Sequence, residues 1–220
     1  MKESTKNFGL NKKELVILKK LDNPAKIQDF INKLKINFEL EGDSCKSPRI
    51  VLRTRKAHCI EAALLAALAL RINGFPPLIV DMSANDKDDD HVIAVFKQKR
   101  YWGAISKSNH GVLRYREPLY KTIRELVMSY FHEYINDKGE KTLRAFSNPI
   151  NLAKFDDEEW ATREDDLWFI CDYLNRVPHH KIIPKGHRLK KADKMEVKIG
   201  KITEFKKPLF KPLFKPLFKF

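Results

Sequence analysis

The amino-acid sequence predicts an α+β fold, and three observations support that prediction. An Ala- and Leu-rich run at residues 59–72 has the composition of a buried helix. Apolar stretches of strand length follow it between residues 78 and 105. Apolar residues at helical spacing occur both before and after these stretches. Helices and strands are therefore segregated along the chain rather than alternating, as is typical of α+β proteins.

Residues 1–40 are predicted to form a helical extension at the N-terminus. Asn23 followed by Pro24 has the residue types of an N-cap and a first helical position. A shorter helix is expected before this point, around residues 13–21. The apolar residues after Pro24 recur at the spacing of one helix face: Ile27, Phe30, Ile31 and Leu34.

Residues 41–180 are predicted to form the core, together with its C-terminal helices. The region begins with a loop at 41–48 and a short strand or extended segment, Arg49–Arg53. The run Cys59–Ile72 then has strong helix propensity, and the Asn-Gly pair after it is a stop signal. Because this run is apolar on nearly every face, we expect its helix in the middle of the core.

A small antiparallel sheet is expected to pack on this helix. Its strands are predicted at Leu78–Val80, His91–Phe96 and Arg100–Ile105, with an acidic loop at 83–90. Helical periodicity returns after Pro118 and predicts a helix whose buried face holds Ile123, Leu126, Val127, Tyr130, Phe131 and Tyr134. A last helix is expected at Glu158–Asn175.

Positive charge is concentrated at the C-terminus. The chain has a formal net charge of +14, and residues 181–220 hold 13 Lys/Arg against three acidic residues. We predict that this segment is a basic, extended tail, since the K-P-L-F unit occurs three times between 207 and 218 and proline excludes a regular helix. Such a tail either makes weak contact with a polyanion or a membrane surface, or is a solvated segment without a dedicated partner. No helix-turn-helix, RNP-like or zinc motif is present, so specific nucleic-acid binding is not expected.

Cysteine content and hydropathy indicate the cellular compartment. The three cysteines cannot all pair within the chain, and they lack metal-type spacing. No apolar run approaches the length of a membrane span, and the first residues lack the apolar segment of a secretory signal. These features predict a cytoplasmic protein, and nothing in the sequence calls for a cofactor or a metal.

Two residues are candidates for nucleophilic chemistry. Cys59 opens the apolar helix, where unpaired amides and the helix dipole favour a thiolate. His91 begins a predicted strand 32 residues later and is the candidate base. The alternative interpretations are a small core side chain for Cys59 and a loop-edge histidine without a role for His91.

The spacing of these residues resembles the transglutaminase-like superfamily. The similar features are a cysteine opening an Ala/Leu-rich helix, a hinge at 73–77, an apolar strand, and a histidine heading a second strand before Trp102. Residues from WGAISKSNH to RELVMSYFHEY also resemble bacterial transglutaminase-like proteins. The resemblance implies a papain-like core with Cys59 as nucleophile and His91 as base.

The third catalytic position departs from the family pattern. The family usually has Asp four residues after the Trp, but Ser106 stands there. A serine orients an imidazole by accepting a hydrogen bond, but it supplies no negative charge for an imidazolium. Asn109 is the alternative third residue, and Asp81 or Asp90 are further candidates.

Two functions follow from these residues. The first is a cysteine-dependent amide-bond hydrolase or acyl transferase that acts on a peptide or protein through a thioester. The second is a catalytically degraded relative that binds a peptide or protein partner. The block Arg114–Glu117 has two interpretations as well: a site for a substrate carboxylate, or a surface ion-pair set.

Overall fold

The structure is a computed structural model that describes residues 7–203, without the side chains of 201–203. Helices and strands are mixed, in agreement with the predicted α+β class. The helices are α1 Lys12–Lys19, α2 Pro24–Asn32, α3 Pro48–Thr54, α4 Cys59–Ile72, α5 Ile123–Met128, α6 Trp168–Arg176 and α7 Lys194–Thr203, with a 3₁₀ helix at Leu152–Glu158. The strands are β1 Lys35–Ile36, β2 Lys56–Ala57, β3 Leu78–Ala84, β4 His91–Gln98, β5 Tyr101–Ile105, β6 Arg116–Tyr120, β7 Leu143–Ser147, β8 Ile150–Asn151 and β9 His179–Lys181.

The main sheet is antiparallel throughout and has the strand order β6-β5-β4-β3-β7-β9, with the short β8 also paired to β3. A separate parallel pair joins β1 to β2 immediately before α4. Asn37, which follows β1, donates its backbone N–H to the carbonyl of Ala57 at 3.1 Å. This pair therefore brings the loop after residue 36 next to the start of α4.

Helix α4 lies at the centre of the core, as its composition predicts. Every residue from Ile60 to Leu70 is buried. The helix packs between the N-terminal helices and one face of the sheet, where Val92, Ala94 and Phe96 of β4 meet it. The alternate residues of the same strand, Ile93 and Val95, contact a second apolar cluster that includes α5. Strand β4 is thus buried on both faces, which fixes the position of its first residue, His91.

The prediction of an extended segment at Arg49–Arg53 is wrong, because these residues belong to α3. Ser47 is the N-cap, its hydroxyl accepts the N–H of Ile50 at 3.4 Å, and Pro48 occupies the first turn. A serine followed by proline is a helix-start signal. That local signal outweighs the β-branched residues that favoured a strand.

The helices predicted after Pro118 are shorter than expected. Residues 116–120 form β6, and α5 covers only Ile123–Met128, although Tyr130, Phe131 and Tyr134 are buried as the periodicity predicts. The helix predicted at Glu158–Asn175 is also broken. Its first residue ends the 3₁₀ helix, Glu159 has a left-handed backbone, and α6 begins only at Trp168.

The segments at both ends contribute to the same structure. Leu18 and Ile31 of the N-terminal helices are buried in the cluster that surrounds α4. Strand β9 crosses the boundary predicted at residue 180, and Lys194–Thr203 is helical rather than extended. The K-P-L-F repeats lie outside the described residues. No helix within residues 7–203 has the length and apolar character needed to cross a membrane.

Candidate active site

Cys59 is the first residue of α4, and its side chain is partly exposed. It lies in a cleft of about 510 Å³. The cleft is lined by the loop after β1, the acidic loop before β4, the loop after β5 and the segment after α5. His58, His91 and Asn109 are among its lining residues. The cleft therefore brings together residues that are up to 99 positions apart in the sequence, from Ile36 to Ile135.

His58 lies on one side of the sulfur. Its Nδ1 is 3.9 Å from the Cys59 Sγ, and its Nε2 is 2.9 Å from the Ser44 carbonyl oxygen. Carboxylate oxygens of Glu39 and Glu61 both lie 3.5 Å from that Nε2. Burial lowers the pKa of His58. Its hydrogen bonds to Cys59 and Glu61, together with the charges of those two groups, have a larger and opposite effect and raise the pKa to about 11. At neutral pH His58 is therefore an imidazolium beside the sulfur.

Glu61 balances this charge from inside the protein. Its carboxylate is fully buried and accepts hydrogen bonds from the Ser44 hydroxyl at 2.9 Å, the Asn37 amide at 3.1 Å and the His58 backbone N–H at 3.0 Å. Burial raises the pKa of Glu61, yet the hydrogen bonds and the charge of His58 bring it down to about 2. Glu61 is thus ionised, and it fixes both the loop and the helix start.

His91 is the second histidine that acts on the sulfur, and it is hydrogen-bonded to Ser106. Its Nε2 is 2.8 Å from the Ser106 hydroxyl, and that hydroxyl donates to the Leu113 carbonyl at 2.9 Å. Because the serine has one proton and gives it to the carbonyl, it accepts the N–H of His91. The neutral imidazole then carries its proton on Nε2, which leaves Nδ1 with a lone pair for a second partner.

The two histidines together set the state of the thiol. Burial raises the pKa of Cys59, but hydrogen bonds with His58 and His91 and the charges of both rings lower it to about 5. The helix N-terminus adds a favourable field for an anion. Cys59 is therefore a thiolate at neutral pH, which is the nucleophilic form of cysteine.

Ser106 is held in place by a side chain from α2. The amide of Gln28 accepts the N–H of Ser106 at 2.9 Å and donates to its carbonyl at 2.9 Å. Gln28 and Ser106 are both buried. This double contact fixes the backbone of Ser106, and with it the hydroxyl that orients His91.

The other candidates for the third position have different partners. Asn109 lines the cleft, but its side-chain oxygen accepts from the Ser108 hydroxyl at 3.4 Å, and within residues 7–203 it makes no hydrogen bond to His91. Asp90 accepts the backbone N–H of Ala84 at 2.7 Å. Ser106 is therefore the residue that the structure brings to the histidine.

Asp81 is also engaged away from His91. It lies 2.8 Å from Nε2 of His179, a histidine of β9. Burial raises the pKa of Asp81 to about 6 despite this hydrogen bond. Trp102 is on β5, where it packs in the second apolar cluster, and it does not line the cleft.

Sequence reasoning counted His58 only as nearby positive charge, and it missed Glu61 and Gln28. His58 is the N-cap of α4 and Glu61 is at position N3. An acidic residue three positions after an N-cap is a capping signal. That signal could have found Glu61. The contact of Gln28 joins residues 78 positions apart, and no local pattern predicts it.

Among residues 7–203 no group of three or more His, Cys, Asp or Glu side chains has the arrangement of a metal site. A comparison with protein-family models finds no match, and a search of curated proteins finds no similar sequence. The transglutaminase-like resemblance thus stays a prediction that rests on the residues of this chain.

Proposed function

We propose that this protein is a cysteine-dependent enzyme that acts on amide bonds of a peptide or protein through a thioester at Cys59, with a papain-like core around the site. One observation carries the proposal. An ionised thiol at the head of a buried helix interacts with two histidines: His58, which holds positive charge, and His91, which Ser106 orients so that Nδ1 is able to move a proton.

The reaction assigns a different task to each histidine. In the resting site the proton lost by the thiol is held on Nδ1 of His91, while His58 keeps its own proton and stays paired with Glu61. The thiolate attacks the carbonyl carbon of the amide, and the amides of the first turn of α4 stabilise the oxyanion. His91 then gives its proton to the leaving nitrogen as the C–N bond breaks, and a thioester remains.

The second half of the reaction releases the acyl group. Water or an amine attacks the thioester carbon and passes a proton to His91, and the C–S bond breaks to restore the thiolate. The two acceptors give hydrolysis and acyl transfer respectively. Ser106 holds the ring of His91 in one orientation throughout, although without the negative charge that an aspartate adds.

The proposal is tested by acylation of the purified full-length protein with p-nitrophenyl acetate and with a panel of glutamine- and asparagine-containing peptides. We expect a stoichiometric acyl-enzyme by mass spectrometry, its loss in Cys59→Ala, and a decrease of at least about a hundredfold in acylation rate in His91→Ala. Cys171→Ala, which removes a partly exposed thiol elsewhere, is the matched control and should keep the full rate. An acyl-enzyme that forms equally in Cys59→Ala contradicts the proposal.

The second candidate is a degraded relative that binds a peptide or protein partner with the same cleft. The presence of Ser106 where a carboxylate is expected favours it. Ser106→Asp separates the two candidates: a large increase in acylation rate indicates an otherwise intact catalytic site. An unchanged, negligible rate in the folded variant indicates that catalysis has been abandoned.

A further inference from the structure

A second and larger cleft, of about 970 Å³, adjoins the one that holds Cys59. The loop after β1 forms a wall of both, and Lys107 lines both as well. The shared lining residues are Ile36, Asn37, Phe38, Glu39 and Lys107. A ligand bound in the larger cleft therefore lies beside the thiol. We name this larger cleft the basic cleft, for the charges described next.

Positive charge dominates the lining of the basic cleft. Five cationic side chains face two carboxylates there, Glu39 and Glu41. Glu39 is already engaged, because it accepts the backbone N–H of Ser44 at 2.8 Å and lies 3.5 Å from the His58 ring. The cationic residues are Lys35, Lys46, Lys56, Lys107 and Arg114.

Two of these lysines are placed side by side by the β1–β2 pair. Lys35 and Lys56 are direct register partners. Like charges in neighbouring positions of paired strands destabilise the pair. Neither lysine makes an ion pair with any carboxylate of residues 7–203. An anion bound between them would remove this repulsion.

Arg114 and Arg116 show which part of the Arg114–Glu117 block is available to a ligand. Arg116 lies over the ring of Tyr130 and forms an ion pair with Glu133, so its role is structural. Arg114 lines the basic cleft, and within the described part of the chain its guanidinium makes no hydrogen bond or ion pair. Burial lowers its pKa, as expected for a cation without a carboxylate neighbour.

Lys107 adds a fixed positive charge behind Arg114. Its side chain is almost fully buried, and its ammonium donates to the carbonyls of Ile31 at 3.2 Å and Leu34 at 2.8 Å. Burial and the charge of Arg114 lower its pKa to about 8. The ammonium of Lys107 is therefore held by backbone carbonyls, while Arg114, Lys35 and Lys56 remain free to contact a ligand.

We propose that the basic cleft binds the carboxylates of an acidic peptide segment that lies next to the amide presented to Cys59. A guanidinium forms two parallel hydrogen bonds with a carboxylate, which fits the unpaired Arg114. Leu34, Ile36 and Phe38 give the cleft an apolar part for a neighbouring side chain.

The thiol side of the site explains why the ligand is a short acidic segment rather than a nucleic acid. Asp88, Asp89 and Asp90 line the cleft that holds Cys59. A long polyanion that crossed both clefts would meet these carboxylates and be repelled. A peptide with acidic residues on only one side of the reacting amide avoids that contact. The part of the inference that places an amide at Cys59 depends on the proposed function. The binding of acidic residues in the basic cleft does not.

The test measures binding in Cys59→Ala, which cannot react. The probes are heptapeptides labelled with tetramethylrhodamine that have glutamine at the centre and two aspartates before or after it, and the same peptides with asparagine. At about 50 mM salt, where charges are weakly screened, we expect one aspartate peptide to bind at least about tenfold more tightly than its asparagine counterpart by fluorescence anisotropy.

Variants then locate the interaction. Adding Arg114→Gln should weaken binding of the aspartate peptide to the level of the asparagine peptide, while Arg114→Lys should retain part of the affinity. Lys35→Gln with Lys56→Gln should weaken binding about threefold or more and also tests the cleft if Arg114→Gln fails to fold. The matched control is Lys12→Gln with Lys13→Gln, which removes two exposed charges of α1 and should leave the affinity unchanged.

Three results would overturn the inference. They are equal affinity for aspartate and asparagine peptides, an equal loss in the α1 control, or tighter binding of a twelve-nucleotide thymidine oligomer than of any peptide. Failure of the acylation experiment, together with selective aspartate binding, would reject the enzyme but keep the acidic-peptide site. Acylation without selective aspartate binding would keep the enzyme and reject the acidic-peptide site.

Discussion

Cys45 and Cys59 are both linked to the buried carboxylate of Glu61, Cys45 through its charge and Cys59 through His58, yet the pKa values of the two thiols shift in opposite directions. Cys45 is fully buried, and its hydrogen bond with Cys171, burial and the charge of Glu61 all raise its pKa. Cys59 lies at a helix start between two imidazoles, and its pKa is lowered to about 5. Glu61 thus disfavours one thiolate directly, and favours the other through the histidine that it keeps charged.

The comparison shows that the pKa of each thiol depends on the charge next to the sulfur and not on shielding alone. Cys45 is fully buried and Cys59 is partly exposed, and shielding by itself only raises a thiol pKa. The difference is the imidazolium of His58 and the ring of His91, which only Cys59 contacts. Each prediction below changes one part of this difference.

The largest expected effect is the contrast in alkylation rate between the two thiols. At pH 7 and limiting iodoacetamide, Cys59 should be modified at least about a hundred times faster than Cys45, because only the thiolate reacts and because Cys45 is also buried. The rate at Cys59 should rise with pH around a midpoint near 5. Peptide mapping by mass spectrometry gives both rates, and comparable modification of Cys45 would show that the two environments do not differ as described.

The next effect concerns stability and its pH dependence. Because the folded pKa of Glu61 is about 2, below its ordinary value of 4.5, its contribution is present above about pH 4.5 and is lost as the pH falls towards 2. Glu61→Gln should therefore lower the free energy of unfolding by about 3 kcal/mol at pH 7, and by much less near pH 2.

Urea unfolding at several pH values measures this difference. Glu117→Gln, which neutralises an exposed carboxylate, is the matched control and should change stability by less than about 0.5 kcal/mol. A Glu61→Gln penalty that stays the same from pH 7 to pH 2 would mean that the ionised carboxylate is not the source of the stabilisation.

Removing the charged histidine should make Cys59 more like Cys45. In His58→Gln the thiolate loses its nearest cation, so the alkylation midpoint should rise by about one pH unit or more. The ultraviolet absorbance of the thiolate near 240 nm gives the same titration directly. The exposed His132 supplies the control, His132→Gln, whose midpoint should match that of the unmodified protein. A midpoint that stays near 5 in His58→Gln would assign the stabilisation to His91 alone.

The smallest effect is expected at Ser106. Ser106→Ala removes the acceptor that holds the tautomer of His91, and we expect the acylation rate to fall about tenfold while the thiolate midpoint changes little. The acylation rate reports the orientation of His91, and the midpoint of the Cys59 titration reports the charge around the sulfur, so separate measurements distinguish the two effects. A rate equal to that of the unmodified protein would show that the ring is positioned by its packing on β4.

The parts of the molecule that sequence reasoning predicted depend on local pattern. Helix α4 and strands β3 to β5 follow from composition and apolar runs, and Cys59 and His91 stand at the first positions of two of these elements. Strands β7 to β9 were missed because their partners are distant in sequence and because β8 and β9 are only two and three residues long. The segment of α3 was assigned to the wrong class because its β-branched residues were given more weight than its Ser-Pro start.

The sequence predicted Cys59, His91 and Ser106, but it did not predict the residues that hold them in place. Ser106 was found by its spacing from Trp102, although Trp102 itself does not line the cleft. The loop after β1 supplies Asn37, and the segment before α3 supplies Ser44. Both donate hydrogen bonds to Glu61, and such contacts between distant segments have no signature in a single sequence.

The double hydrogen bond between Gln28 and Ser106 has a consequence for how the protein can be divided. A shortened protein limited to residues 41–180 would retain Cys59, His91 and Ser106, yet the backbone of Ser106 would lose the amide that anchors it. The candidate site therefore depends on α2, and transferring Cys59, His91 and Ser106 alone to another protein would leave out the side chain that fixes Ser106. Relatives are better sought by requiring a glutamine on the second helix than by the cysteine and histidine alone.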